Sequence, residues 1–163
     1  ALATGLRPTH PQIALDPDEA YAAGLLHDIG KVLLAGRRPH IWSAIAKLAA
    51  DGGLSFSEAE NAYWGMDHAL TGAQVLHFWK LPLVLTDTIN WHHSPQMAPS
   101  FALEAGVVAA ADALAHLGLD ASGNLPQAVL SFLPPGANAA TLAAGCVQAA
   151  DKVRPDTVSG LQI

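Results

Sequence analysis

The segment 24–31 places a histidine, an aspartate and a lysine inside an otherwise apolar sequence of helical character. His27 and Lys31 are four residues apart, so they would share one face of a continuous helix. Burial of an unpaired carboxylate costs several kcal/mol, so Asp28 requires a cation, a metal ion or strong hydrogen bonds. The chain must therefore fold in a way that brings polar partners to this segment.

Three further places interrupt apolar helical sequence with imidazoles or carboxylates, namely Asp67-His68, His92-His93 and Asp112. The chain has only eight Lys and Arg residues, so few of the carboxylates can pair with a basic side chain. Imidazoles, Lys31 or a metal ion are the partners that remain.

The residue types at these four places are those of a metal site, because divalent transition metals prefer imidazole nitrogen and carboxylate oxygen. No segment has the His-x-x-x-His spacing of a self-contained site, so the ligands would come from several helices. The candidate ligands are His27, Asp28, His68, His92, His93 and Asp112. Each of them alone is better explained as a buried side chain with one hydrogen bond. The clustering of His-Asp and His-His pairs within apolar helices favours a site.

The remaining sequence predicts an all-α, single-domain helical bundle over residues 1–163, because nothing alternates apolar with polar residues over a strand's length. The Asp-Pro-Asp-Glu sequence at 16–19 is a helix start signal, with an N-cap, a proline at the first position and an acid at the third. Ser57 with Glu60 is expected to form a capping box, Asn138 to cap the last helix, and 94–100 to be a loop. The predicted helices cover residues 1–6, 17–34, 40–50, 57–65, 67–80, 82–93, 101–117, 125–132 and 138–153.

The composition excludes several classes of function. A formal charge of −6 with scattered basic residues disfavours binding to nucleic acid. The single cysteine, Cys146, rules out an intrachain disulfide and a cysteine-based zinc site. Apolar runs stay well below the length of about 18 residues that a membrane span needs, and no signal peptide opens the chain. We therefore expect a cytoplasmic protein without a membrane segment.

Residues 20–31, Ala-Tyr-Ala-Ala-Gly-Leu-Leu-His-Asp-Ile-Gly-Lys, resemble the signature of the HD superfamily of metal-dependent phosphohydrolases. Residues 67–76, then Trp79-Lys80-Leu81-Pro82, then 89–93, Ile-Asn-Trp-His-His, resemble the HDOD branch, the HD-related output domain. This order, followed by a helix that contains Ala-Asp-Ala, extends over about residues 17–116. It forms a motif-bearing core, and further helices follow it at about 125–153.

The resemblance implies an all-α domain of bacterial signalling proteins, often joined to receiver or nucleotide-signalling domains. It also implies one or two divalent metal ions (Fe, Mn, Zn or Ni), bound by the six candidate ligands. Within the superfamily, the position of Asp28 bridges two metals and the position of Lys31 faces the phosphate, so these two would be the catalytic residues of an active enzyme. The chemistry would be hydrolysis assisted by the metal.

Three departures from the superfamily weigh against hydrolysis. Its enzymes carry a further histidine upstream of the signature, whereas His10 lies in a proline-flanked loop and is a poor substitute, which suggests a fragment of a longer protein. The HD-GYP branch of cyclic di-GMP phosphodiesterases continues its His-His with Glu and Gly-Tyr-Pro, where this chain has Ser94-Pro95-Gln96-Met97. HDOD domains as a group commonly lack parts of the metal set and are regarded as non-catalytic.

We therefore expect a signalling output module that retains a His/Asp cluster, has little or no hydrolytic activity, and interacts with other signalling proteins or domains in the same chain or in trans. Two alternatives stay open. One is an active metal-dependent phosphohydrolase or phosphodiesterase that acts on a nucleotide or cyclic dinucleotide. The other is a nucleotide-binding sensor whose pocket survives without turnover.

Overall fold

The computed structural model describes residues 1–153, and over this range the chain is helical and contains no strand. The α-helices are α1 (Leu2–Leu6), α2 (Pro17–Leu26), α3 (Ile29–Arg37), α4 (Pro39–Gly52), α5 (Phe56–Trp64), α6 (His68–Phe78), α7 (Leu83–Asn90), α8 (Ala102–Leu117), α9 (Gln127–Leu130) and α10 (Ala139–Val153). The predicted all-α class is confirmed. Within the same range, no helix combines the length and the hydropathy that a membrane crossing requires.

The larger hydrophobic core surrounds α8, which packs against α1, α2, α7 and α9. Residues 104–110 of α8 are buried without interruption, and most of them are small or β-branched. Leu6 of α1, Ala23 of α2 and Val129 of α9 are fully buried in this core. Asp112 lies one half-turn beyond the buried stretch of α8, so the central helix itself carries one of the candidate ligands.

A second, smaller core lies between α3, α4 and α5 and is centred on Leu34, Ile45 and Ala59. Trp42 and Phe56 pack over it with their ring centroids 4.5 Å apart. Helix α6 contacts α3 and α5 on this side and α7 on the other. The candidate ligands therefore come from helices that belong to both cores, since α2 and α8 pack in the larger one and α3 in the smaller one.

The prediction of one helix over residues 17–34 is wrong, because the chain breaks at His27-Asp28 and forms α2 and α3. The His27 Nδ1–H donates to the Gly24 carbonyl oxygen at 2.8 Å. In a continuous helix that carbonyl would accept the Asp28 N–H, so the imidazole competes with the backbone where α2 ends. Asp28 has φ −100° and ψ 12°, outside the regular helical region. His27 and Lys31 consequently belong to different helices.

The predicted capping box at the start of α5 is also misplaced. Ser55 and Glu58 form it instead of Ser57 and Glu60, because the helix begins two residues earlier than expected. With Glu58 at the cap, Glu60 turns inward and is fully buried. A residue assigned to helix capping therefore belongs to the interior.

The helices from α6 onward lie where the sequence predicts them, but most of their first and last residues differ from the predicted ones. Helix α7 ends at Asn90, so His92 and His93 lie beyond its last turn. The predicted loop at 94–100 contains a short 3₁₀ turn, Pro95–Met97, that packs against α8. The Asn138 side chain caps α10 as expected, since its Oδ1 accepts the Thr141 N–H at 3.0 Å.

Helices α3 and α6 approach each other at a point where neither can carry a bulky side chain. A Cβ atom on Gly30 would overlap the backbone carbonyl of His68, and one on Gly72 would lie 3.0 Å from the Ile29 side chain. Two glycines therefore allow direct backbone contact between these helices.

We expect Gly30→Ala to lower the free energy of unfolding by about 2–4 kcal/mol, because the backbones of α3 and α6 would have to separate. Gly36, near the end of α3, is the matched control, since nothing lies within 4 Å of a Cβ built there. Gly36→Ala should be neutral or stabilise by up to about 1 kcal/mol. Urea denaturation of the three proteins measures both effects, and an equal response to the two substitutions would contradict the close contact.

Candidate metal centre

The structure brings the six sequence-predicted ligands together, namely His27, Asp28, His68, His92, His93 and Asp112. The His92 ring lies in the middle, with its centroid 5.1 Å from that of His27, 5.7 Å from that of His68 and 3.9 Å from that of His93. The two aspartates border the imidazoles: Asp28 Oδ1 lies 3.2 Å from His68 Nε2, and Asp112 Oδ1 lies 3.3 Å from His27 Nε2. Their role as metal ligands stays a prediction.

Helix ends position most of these side chains. His27 is the C-cap residue of α2, Asp28 precedes the first residue of α3, and His68 is the first residue of α6. The pair His92-His93 follows the end of α7. Helix ends suit this purpose, because the backbone direction changes there and side chains from different helices can converge.

The imidazoles of His27 and His92 are held in the same way. Each lies at or beyond the end of its helix and bonds through Nδ1 to a carbonyl oxygen three residues earlier, Gly24 at 2.8 Å and Ile89 at 2.7 Å. A carbonyl oxygen can only accept, so Nδ1 carries the proton in both rings. In the neutral ring, Nε2 is then left with a lone pair, which is the state that binds a metal.

His68 is held by a carboxylate instead of a carbonyl. Glu60 Oε2 accepts the His68 backbone N–H at 2.9 Å and approaches Nδ1 at 2.5 Å. Both Glu60 and His68 are fully buried. This is the arrangement in which the outer hydrogen bond of a metal-binding histidine fixes the ring and its tautomer.

The inward-facing atoms of this cluster fit a cation. Among the described residues, His27 Nε2, His92 Nε2 and Asp28 Oδ1 are buried without a well-aligned hydrogen bond. These three residues offer ligand atoms within 4.8 Å of one another, and so do His68, His92 and His93. Two overlapping sets of three donors share His92. Buried polar atoms without partners are costly, and a divalent metal ion would satisfy them together.

Asp28 connects the cluster to the only lysine near it in the described part of the chain. Lys31 Nζ donates to Asp28 Oδ2 at 2.8 Å, while Oδ1 faces His68. Burial alone would raise the pKa of Asp28, but the contacts from His68 and Lys31 outweigh it and hold the pKa well below the usual range. Burial likewise opposes a charge on His68, yet the carboxylates of Asp28 and Glu60 raise its pKa. Asp28 is therefore an ionised ligand candidate.

Asp112 forms a second charged pair, with His27, whose Nε2 lies 3.3 Å from Asp112 Oδ1. The contact with the Asp112 carboxylate raises the pKa of His27, and the same contact lowers the pKa of Asp112. His116 lies one turn further along α8, with Nδ1 2.9 Å from the Asp112 carbonyl oxygen and 3.2 Å from its carboxylate. His116 thus helps to orient Asp112 from the solvent side.

An open cleft of about 680 Å³ leads from solvent to the cluster. Lys31, Phe56 and Asp67 line its walls, and His68, His93 and Asp112 lie along it. Small polar molecules and ions can therefore reach one side of the cluster, whereas His92 stays fully buried behind it.

Glu60 is the residue of this site that the sequence prediction missed. The sequence pattern that could have revealed it is the spacing of Phe56, Glu60 and Trp64, which places the carboxylate in line with two aromatic residues on one face of α5. A glutamate on an apolar helix face requires an internal partner, and here the partner is His68.

His10 takes no part in the cluster. Its Nε2 lies 3.0 Å from the Pro135 carbonyl oxygen and its Nδ1 lies 2.9 Å from Thr9 Oγ1. His10 is buried and both ring nitrogens have partners, so its role is to join the loop before α2 to the segment before α10.

The fold and the site together define an α-helical domain with a buried cluster of imidazoles and carboxylates that is compatible with a divalent metal. The profile of the HDOD domain family matches residues 9–95, which is more than half of the chain, and the chain belongs to this family.

Two solved structures have the same fold. One is a protein from Shewanella amazonensis SB2B that is provisionally named a phosphohydrolase. Its TM-score is 0.71 and its sequence identity is 23%, and the alignment covers 90% of this chain and 56% of that chain. The other is an HDOD domain protein of unknown function from Geobacter sulfurreducens, with a TM-score of 0.66, 24% identity, and coverage of 93% and 56%.

An uncharacterised protein of Treponema pallidum (strain Nichols) is 27% identical over 81 residues, which are 50% of this chain and 16% of that protein. The chain thus spans less than two thirds of each of these three proteins. The likeness to the two solved structures establishes the fold.

We expect the metal-free protein to lose stability as the pH falls from 6.5 to about 5, because burial and the neighbouring His93 lower the pKa of His92 from 6.5 to about 3. A folded-state pKa below the unfolded value means that stability is full above pH 6.5 and is lost toward acid. The raised pKa values of His27 and His68 change the free energy of unfolding in the opposite direction, and only above pH 6.5. The lowered pKa values of Asp28 and Asp112 change it only below about pH 4. His92 alone contributes a loss of up to about 2 kcal/mol by pH 5. Burial and the neighbouring His68 also lower the pKa of His93, which adds to the loss in the same direction.

Urea denaturation in EDTA at several pH values measures this loss. His92→Asn retains a donor for the Ile89 carbonyl and should remove the part of the pH dependence that His92 contributes, which leaves the part that His93 contributes. His77→Asn, on the exposed side of α6, should leave it unchanged. A wild-type stability that does not vary between pH 6.5 and 5 would contradict the burial of a neutral His92.

Proposed function

We propose that the chain is a signal-transduction output domain of HDOD type, which holds a divalent metal ion in its His/Asp cluster and has little or no hydrolytic activity. The observation that carries the proposal is the common orientation of His27, His68 and His92. Each ring is bound outside the cluster through Nδ1 and directs Nε2 inward. Hydrogen bonds placed in this way prepare a site before the metal arrives.

The residues that would hold a metal are the six members of the cluster, and their donor set of nitrogen and oxygen suits Fe, Mn, Zn or Ni. Such an ion would supply Lewis acidity and lower the pKa of a bound water. Asp28 keeps its carboxylate ionised beside Lys31 and His68, and Lys31 holds one carboxylate oxygen in place. Asp112 lies against the His27 ring, with Oδ1 3.3 Å from Nε2.

Two features favour an output domain over an enzyme. The sequence after His93 lacks the Glu and Gly-Tyr-Pro of the cyclic di-GMP phosphodiesterase branch, and the 3₁₀ turn Pro95–Met97 occupies this stretch. The chain also belongs to the HDOD domain family. We propose that its partners are receiver or nucleotide-signalling domains, in the same protein or in another.

A metal-dependent phosphohydrolase that acts on a nucleotide or cyclic dinucleotide is the second candidate. The cleft favours it, because it gives an anionic molecule access to Lys31 and His93 at the edge of the cluster. The phosphohydrolase name of the Shewanella amazonensis protein points in the same direction. The two candidates differ in turnover, and both require the metal.

We expect EDTA to lower the melting temperature of the wild-type protein, since loss of a ligand present at 100- to 1,000-fold excess over Kd removes on the order of 3–4 kcal/mol. Asp28→Ala should release the metal, so without EDTA its loss relative to the wild type should include the metal's contribution, on the order of 3–4 kcal/mol, and its own melting should be insensitive to EDTA. In EDTA, where neither protein holds metal, the variant should still be less stable by about 1–3 kcal/mol through lost hydrogen bonds. Asp51→Ala is the control, because Asp51 also pairs with a lysine, Lys47 at 2.7 Å, but on the exposed surface of α4. This variant should respond to EDTA as the wild type does.

Elemental analysis of the purified wild type accompanies the melting experiment. A protein that carries no metal, and whose melting changes neither with EDTA nor with added Mn²⁺, would overturn the metal-binding proposal.

We expect no measurable hydrolysis of cyclic di-GMP by the protein loaded with Mn²⁺ or Fe²⁺, because the residues that follow His-His in the active branch are absent. The measurement is chromatographic separation of the nucleotide from its linear and mononucleotide products. Sustained turnover by the wild type that disappears in Lys31→Met would favour the phosphohydrolase over the output domain.

A further inference from the structure

We propose that Glu60 is a positioning residue for the metal centre: it holds His68 as the tautomer with the proton on Nδ1, so that Nε2 is the nitrogen presented to a metal. This inference rests on the proposed metal site. It also makes a statement about the metal-free protein, which can be tested separately.

Two contacts of one carboxylate oxygen carry the inference. Glu60 Oε2 accepts the backbone N–H of His68 at 2.9 Å and lies 2.5 Å from its Nδ1. Because the oxygen binds the backbone and the ring of the same residue, both the position and the rotation of the imidazole are determined. Glu60 and His68 have exposed fractions of 0% and 1%, so water does not compete for these bonds.

Helix formation alone does not account for both contacts. His68 is the first residue of α6, so its backbone N–H has no partner within the helix and needs an external acceptor. The Asp67 side chain caps α6 by accepting the Leu70 N–H at 2.9 Å. The bond from Glu60 to the His68 backbone therefore completes the cap, but the bond to Nδ1 adds nothing to the helix. It acts on the ring.

Glu60 also distinguishes His68 from the other two oriented imidazoles. His27 and His92 donate to neutral carbonyl oxygens, whereas His68 donates to a carboxylate. A charged acceptor at Nδ1 increases the basicity of Nε2, so His68 would be the strongest nitrogen donor of the three. The opposite nitrogen faces the site, with Nε2 3.2 Å from Asp28 Oδ1 and 2.8 Å from His93 Nε2.

The substitutions Glu60→Gln and Glu60→Met separate charge from geometry. The amide oxygen of glutamine can accept both hydrogen bonds now made by Oε2, and its nitrogen would take the place of Oε1, which has no hydrogen-bond partner in the described structure. Methionine has a similar length but provides no comparable acceptor. Glu104→Gln is the matched control, since Glu104 is another buried carboxylate that accepts a backbone N–H, from Ala14, outside the cluster.

The first measurement is ¹⁵N NMR of the histidine ring nitrogens in the metal-free protein at about pH 9. His68 should be a single tautomer with the proton on Nδ1 in the wild type and in Glu60→Gln. In Glu60→Met it should become a mixture of both tautomers. A wild-type His68 that carries its proton on Nε2 would overturn the inference, whether or not the protein binds metal.

The second measurement is a Zn²⁺ titration in competition with a chelator at neutral pH. Glu60→Met should weaken Zn²⁺ binding by about 10- to 100-fold, and Glu60→Gln should weaken it by less. Glu104→Gln should bind Zn²⁺ as the wild type does, even if its stability falls. Wild-type affinity in Glu60→Met, or equal weakening in Glu104→Gln, would contradict a positioning role. If Glu60→Met does not fold, the tautomer of His68 in the wild type and in Glu60→Gln decides the inference, and a proton on Nε2 in either protein would contradict it.

A wild-type protein that binds no Zn²⁺ in this titration would refute the proposed metal-binding function. The tautomer of His68 and its response to Glu60→Met would then decide the inference by themselves.

Discussion

Helices α3 and α6 meet at Gly30, where the backbone of one helix lies directly against the His68 carbonyl of the other. This contact fixes how closely α3 and α6 pack and thereby sets the distance between Asp28 and His68, whose side chains approach to 3.2 Å. A side chain at position 30 would push the helices apart and move the two residues with them. Because metal–ligand distances vary by only a few tenths of an ångström, the geometry of the whole cluster depends on this absence of a side chain.

The imidazoles are oriented before any metal binds, and each is oriented locally. His27 and His92 fold back onto the last turn of their own helices, and His68 binds a carboxylate eight residues earlier in the chain. Each arrangement uses Nδ1 for an outer bond and leaves Nε2 for the cluster. Little conformational entropy is then left to lose when a ligand binds, which is the physical advantage of an outer set of hydrogen bonds.

Charge balance explains why so many titratable groups share a partly buried site. Three carboxylates, those of Asp28, Glu60 and Asp112, face one lysine and several imidazoles. In the metal-free protein, the neighbouring carboxylates favour the protonated forms of His27 and His68, which is why the pKa values of both rings are raised. A divalent cation would replace these protons, so metal binding and proton release are expected to be coupled.

The sequence by itself determined the all-α class, the start of α2, the cap of α10 and the six residues of the cluster. All of these depend on local patterns, such as hydrophobic periodicity, capping residues and polar side chains within apolar segments. The break at His27-Asp28 and the partner of Glu60 were decided only by the tertiary structure. His27 ends α2 because its ring takes the Gly24 carbonyl while facing the cluster, and Glu60 faces inward because α6 brings His68 to it. The direction of Glu60 depends on the packing of α5 against α6, and the ring of His27 faces partners that other helices supply, so a local pattern contains neither.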